Sequence, residues 1–201
     1  MVQAITEQGY MILDQFLSAS TLAALCTNYH SIGTTEFKPA GVGREQGFQL
    51  NQQIRGDEIF WLDGSDDATS EYFCWMEQLR LHINSELFLG LFDYECHYAN
   101  FPRHAFYKRH VDAFKGSSNR RLSTVLYLNE DWQTQDGGEL LMYREDANIP
   151  FEVIQPLYGR MVIFLSEKFP HEVAVTQKSR FSLTGWFRIN ASTSEQLDPP
   201  K

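Results

Sequence analysis

Residues 180–189 read RFSLTGWFRI, and the alternation within this stretch decides the fold. Successive side chains of a β-strand point to opposite faces. Arg180, Ser182, Thr184, Trp186 and Arg188 then share one face, while Phe181, Leu183, Phe187 and Ile189 share the other. A strand of this kind rests its apolar face on a core and lines a cavity with its polar one.

Working outward, short runs with strand character recur at 94–100, 106–112, 122–129, 139–143 and 161–165, separated by turns such as Asp136-Gly137-Gly138 and residues 148–150. The N-terminal part reads differently. A strand at 9–16 precedes a Leu/Ala-rich helix at 18–30 with Ser18 and Ser20 as cap candidates. A long loop over 34–53 leads to a strand at 59–62. Phe73, Met76, Leu79, Ile83 and Leu87 then recur at helical spacing, predicting a helix capped by Asp66 or Thr69 and stopped near Leu89 by Gly90. Helices followed by many strands predict an α+β, mainly β fold: a double-sheet jelly roll with the N-terminal helices packed on one sheet. One domain is expected over residues 1–190, with a flexible tail at 191–201.

The 201 residues carry a formal charge of −9, which argues against nucleic acid as a partner. Locally the sign reverses. Arg103, Lys108, Arg109, Lys115, Arg120 and Arg121 cluster around the single acid Asp112, a setting for an anionic small molecule or acidic peptide as well as for ordinary solvated surface. Cys26, Cys74 and Cys96 form no CxxC pair, so neither a disulfide framework nor a cysteine zinc site is expected. The opening residues lack a signal-like pattern and no apolar run reaches membrane-spanning length, so a cytoplasmic protein without membrane association is expected.

His110 and Asp112 form an HxD pair on the predicted strand at 106–112, where period two would aim both at one ion. The pair alone is weak, because such a spacing arises readily by chance. His171, after Pro170 and just past the strand at 161–165, supplies a third ligand. Two histidines and a carboxylate form the facial triad of non-heme Fe(II) oxygenases, although imidazole and carboxylate also accept zinc and other metals. Arg180 offers a planar, permanently charged fork for a carboxylate. Thr184 adds a hydroxyl on the same face, and Tyr127 on a neighbouring strand can assist.

Four phrases carry a resemblance running from about Phe37 to Phe187: IRGDEIFWLDG at 54–64, YKRHVD at 107–112, LYLNEDW with GGEL within 126–140, and PHEV with RFSLTGW within 170–186. In these the chain resembles the prolyl hydroxylases of the hypoxia-inducible-factor type and their bacterial relatives, within the 2-oxoglutarate oxygenases. The resemblance implies a distorted double-stranded β-helix. It implies Fe(II) on His110, Asp112 and His171, and 2-oxoglutarate held by Arg180 and Tyr127 with Thr184 nearby. Dioxygen would be consumed, succinate and carbon dioxide would be coproducts, and ascorbate would be the reductant. The substrate class it implies is a prolyl residue of a protein, with elongation factor Tu as the candidate.

By motif, the prolyl pocket maps onto Tyr107, Trp186, Arg55, Asp57 and Trp61, and Arg120 is expected to pair with Asp57. Residues 41–55 match a loop that closes over substrate. Phe101-Pro102 stands where the animal enzymes have Tyr-Pro, removing a hydroxyl near the cosubstrate, and few residues remain for a C-terminal substrate-contacting helix. Two other readings stay open: an oxygenase of the same fold acting on another side chain, a small molecule or a base, and a non-catalytic metal-binding regulatory domain.

Overall fold

The computed structural model describes residues 2–41, 50–113 and 118–192. In chain order its elements are α1 (Val2–Glu7), β1 (Tyr10–Leu13), α2 (Ala19–Ser31), β2 (Lys38–Pro39), β3 (Glu58–Trp61), α3 (Asp67–Leu87) and β4 (Leu91–Phe101). There follow β5 (Tyr107–His110), β6 (Arg120–Tyr127), β7 (Leu140–Met142), β8 (Glu152–Ile154), β9 (Met161–Leu165), β10 (His171–Val173) and β11 (Arg180–Ile189).

Among the described residues the strands form two sheets, one of seven in the order β1-β9-β6-β11-β4-β3-β2 and one of four in the order β5-β10-β7-β8. The pairings are antiparallel. Strand β11 occupies the middle of the larger sheet, paired along its length with β4 and β6. Its apolar face joins the core with Leu183 and Phe187, and its polar face lines a cavity between the sheets with Arg180, Thr184 and Trp186. The alternation read from the sequence holds. The jelly-roll expectation holds with it: a mainly β fold, its helices covering the larger sheet's outer face.

Helix α3 is held by its stripe of Thr69, Tyr72, Met76, Leu79 and Ile83, all buried at intervals of three and four. Its N-terminus is capped by Asp66, whose carboxylate accepts from the Thr69 N–H at 3.0 Å. It ends at Leu87, where Phe88 turns left-handed (φ 52°), slightly before the expected stop at Gly90. Helix α2 begins at the Ser18 cap, which accepts from the Thr21 N–H at 3.1 Å.

Elements α1, β2, β8 and β10, of six residues or fewer, are not expected from the sequence. Much of the expected loop at 41–55 lies outside the described residues, as do the expected tail beyond 192 and Lys115 of the basic cluster.

Gly185 of β11 stands opposite Cys96 of β4 with no room for a side chain. A Cβ there would lie 2.2 Å from the Tyr94 hydroxyl and 2.7 Å from the Cys96 Cβ. That hydroxyl is itself fixed, bonded to Thr124 at 2.7 Å and Tyr72 at 3.0 Å in the core. Gly185→Ala is therefore expected to lose about 2–3 kcal/mol by overpacking, measured as a lowered urea midpoint. An unchanged midpoint would contradict this packing.

Candidate active site

The cavity between the sheets measures about 740 Å³ and gathers His110, Asp112, His171, Arg180, Thr184, Trp186, Tyr107, Arg55, Asp57 and Arg120 along its lining. Tyr127 lies just beneath it and Trp61 at its edge, 47% exposed.

The two histidines meet because they are cross-strand neighbours: His171 on β10 pairs in register with His110 on β5. Their rings lie 4.3 Å apart. Asp112 reaches them by a route the sequence does not suggest. Strand β5 ends at His110, so Asp112 sits in a bend beyond it rather than on one strand face with His110. His171, expected just past another strand, occupies a short strand of its own.

Hydrogen bonds replace strand geometry in placing Asp112. Its Oδ2 accepts from the Ser123 hydroxyl at 2.5 Å and the Trp186 indole N–H at 3.0 Å. Its Oδ1 is left facing the Nε2 atoms of His110 and His171, at 3.5 and 3.6 Å. The histidine tautomers follow from their other nitrogens. Nδ1 of His110 lies 2.8 Å from the Lys108 carbonyl, and Nδ1 of His171 lies 2.9 Å from the Phe169 carbonyl. A carbonyl only accepts, so each Nδ1 carries the proton and each Nε2 presents a lone pair. Ligand atoms of the three residues lie within 4.8 Å of one another. This donor set fits a divalent transition metal, and the second hydrogen bond on each donor is the usual way of fixing such ligands.

Arg180 is 2% exposed. Its Nε donates to the Gly138 carbonyl at 2.9 Å, and its guanidinium lies 4.9 Å from the Tyr127 ring centroid and 5.0 Å from that of Phe101. The Asp136-Gly137-Gly138 turn is shaped around it: Gly138 has φ +67°, and a Cβ there would stand 3.0 Å from the Arg180 Cδ. Among the described residues Arg180 makes no ion pair, and the buried Tyr127 hydroxyl beside it has no hydrogen-bond partner. A buried cation without a counter-ion, next to an orphaned hydroxyl, is a costly arrangement that an incoming carboxylate would satisfy.

The expected bridge between Asp57 and Arg120 is not formed. Asp57 is engaged by its near neighbour Arg55, whose Nε and Nη2 lie 2.7 and 2.5 Å from the two carboxylate oxygens. Arg120 instead donates twice to Glu95, at 2.9 and 2.7 Å, and lies 3.4 Å over the Trp186 ring. Glu95 is the cross-strand neighbour of Trp186, which puts its carboxylate beside a guanidinium laid on that ring. Arg55 in turn lies 4.2 Å over Tyr107, which stacks on His110 at 3.6 Å.

The sequence reading does not pick out His97, which lines the cavity, or Glu95, which holds the lining residue Arg120. Both sit at alternating positions in β4, so the parity that marked out β11 would have found them.

Burial lowers the pKa of His97 and of His171 to about 4. The charge of His110 adds to this at His171 and that of Asp112 opposes it; at His97, Asp57 opposes while Arg55 and Arg120 reinforce. Asp112 is driven the other way: burial favours its neutral form, but His171, His110 and the Ser123 hydroxyl outweigh this and hold the carboxyl below its usual range. Both histidines titrate below the unfolded value of 6.5, so the unfolded chain binds the extra protons as pH falls. The metal-free protein is expected to lose on the order of 1–2 kcal/mol per histidine between about pH 7 and pH 5, read from urea midpoints. A flat profile across that window would contradict the buried, neutral histidines.

The profile of the 2OG-Fe(II) oxygenase superfamily matches residues 96–188. The crystal structure of a Pseudomonas putida prolyl-4-hydroxylase is 41% identical, covering 94% of this chain and 97% of that one with a TM-score of 0.85. A Trichoplax adhaerens prolyl hydroxylase, solved with a hypoxia inducible factor oxygen degradation domain peptide, is 25% identical over 93% of this chain and 86% of that one, with a TM-score of 0.80. Human Egl nine homolog 1 is 26% identical over 93% of this chain, which spans only 45% of that protein's length. Sharing sequence and fold with the bacterial structure from end to end, this chain belongs to the 2OG-Fe(II) oxygenase superfamily.

Proposed function

We propose that the chain is an Fe(II)- and 2-oxoglutarate-dependent dioxygenase that hydroxylates a prolyl residue of a protein, with elongation factor Tu as the candidate substrate. The observation that carries this reading is the pairing, in one cavity, of the His110, Asp112 and His171 donor set with a buried arginine lacking a counter-ion. When bound, iron supplies oxygen-dependent decarboxylation of 2-oxoglutarate to succinate and carbon dioxide coupled to C–H hydroxylation, with ascorbate as the reductant.

The chain's own contribution is placement. Two imidazole nitrogens, of His110 and His171, and one carboxylate oxygen of Asp112 would hold the metal. Arg180 and the Tyr127 hydroxyl receive the far carboxylate of 2-oxoglutarate, with Thr184 adding a hydroxyl along the same face. Phe101 supplies only a ring face to this end of the cavity, so the carboxylate depends on Arg180 and Tyr127. A prolyl ring is apolar and suits the aromatic surfaces of Tyr107, Trp186 and Trp61. Arg55, held by Asp57, lies over the Tyr107 ring, and Arg120, held by Glu95, lies over the Trp186 ring. The Pseudomonas putida and Trichoplax adhaerens prolyl hydroxylases, matched over most of their length, support proline as the target. No helix among the described residues is long and apolar enough to cross a membrane, and the described cysteines are free.

The test is incubation with Fe(II), ascorbate, 2-oxoglutarate and purified elongation factor Tu, following succinate and a one-oxygen mass gain on a prolyl peptide. His110→Ala is expected to abolish both signals. Arg180→Ala is expected to keep metal binding and to weaken 2-oxoglutarate by about tenfold or more, since a charge-assisted bidentate contact is lost. Succinate without peptide oxidation would transfer the reading to another substrate, and unchanged turnover in either variant would overturn the site assignment.

A further inference from the structure

The face of β4 that looks into the cavity carries Glu95, His97, Ala99 and Phe101, opposite Trp186, Thr184, Ser182 and Arg180 of β11. Glu95 holds Arg120 and Phe101 lies against Arg180, which leaves His97 as the polar residue of this row without a role. It is 4% exposed and lines the cavity. Thr184 flanks it in register on one strand and Trp61 on the other. Its ring stands edge-on to Trp61, with centroids 5.0 Å apart, and tilts against Trp186 at 5.5 Å. It therefore sits between the two tryptophans assigned to the prolyl slot.

The two nitrogens of His97 are not equivalent. Nδ1 lies 3.1 Å from the Tyr98 carbonyl and must carry the proton to donate there. Nε2 is then an acceptor, and it has no hydrogen-bond partner among the described residues. Burial keeps the ring neutral near pH 7, so the lone pair is available. Nε2 faces the cavity, and a ligand that shuts out water there leaves this acceptor unpaired unless it brings a donor.

A proline cannot supply that donor itself, because its ring offers only C–H groups and its nitrogen has no hydrogen. The nearest backbone donor is the N–H of the residue that follows it. We propose that His97 is a specificity-determining residue whose Nε2 accepts a hydrogen bond from the backbone N–H immediately after the target proline, so that the site reads a peptide and not an isolated ring. This rests on the prolyl hydroxylase reading above. It also makes the slot selective, since a substrate lacking the donor would bury the acceptor unpaired.

The experiment uses two synthetic peptides spanning a proline of elongation factor Tu, one with the normal amide after that proline and one with the amide N–H replaced by an ester oxygen. With the wild-type protein, kcat/KM is expected to fall about tenfold from amide to ester, carried mainly by KM, as for loss of one buried hydrogen bond. His97→Phe keeps the ring packing between Trp61 and Trp186 and removes the acceptor. It is expected to handle both peptides within about twofold of each other, near the wild-type rate on the ester. His97→Leu gives the same comparison if the Phe variant does not fold. A variant that keeps the wild-type preference, or a wild type that treats the two peptides alike, would overturn the role of His97 alone. Failure of the wild type to hydroxylate either peptide would overturn the functional reading for this target, and this inference with it.

Discussion

Two hydrogen bonds to one oxygen of Asp112, from the Ser123 hydroxyl on β6 and the Trp186 indole on β11, tie the end of β5 to the larger sheet. The donor set depends on this tie. Without it Asp112 would sit in an unanchored bend, and its other oxygen would not meet the imidazoles that β5 and β10 bring together by their register. Trp186 connects this anchor to the substrate side, because the ring whose N–H holds Asp112 is also covered by Arg120, which Glu95 fixes in place. A disturbance at Trp186 would therefore reach Asp112 directly, as one at Tyr107 would reach His110 through the stacked rings.

The other end of the cavity is governed by the cost of a buried charge. Burial works against the guanidinium of Arg180; Asp57 and Glu139 favour its charge only from a distance, and among the described residues it touches one carbonyl and two ring faces but forms no ion pair. Those contacts hold the side chain in place without neutralising it. A small dicarboxylate spanning from arginine to metal would supply the missing charge, and the orphaned Tyr127 hydroxyl would gain a partner in the same event. Stability forgone by burying this charge thus becomes affinity for the ligand.

The features legible in the sequence are those set by local periodicity. The two faces of β11, the buried stripe of α3 and the caps at Ser18 and Asp66 emerge from residue spacing alone. Three ligands and an arginine could be singled out, because the chemistry narrows the choice among few histidines. What stayed hidden depends on partners far apart in the chain. Nothing near Asp112 announces that Ser123 and Trp186 will hold it, and β10 is too short to read as a strand. The choice of ion pairs failed for the same reason: Asp57 had a closer suitor in Arg55, and Arg120 a better-placed one in Glu95. His97 was overlooked although its strand was found, because its significance lies in the tryptophans beside it and not in its neighbours in sequence.

The account stands or falls on whether one cavity joins the metal to a carboxylate on Arg180. A crystal structure of the protein with Mn(II) and 2-oxoglutarate, grown without oxygen, tests this directly. The expected result is a metal on Nε2 of His110, Nε2 of His171 and Oδ1 of Asp112, with the far carboxylate of 2-oxoglutarate on Arg180 and the Tyr127 hydroxyl. A metal bound elsewhere, or a cosubstrate whose carboxylate leaves Arg180 without a counter-ion, would contradict it.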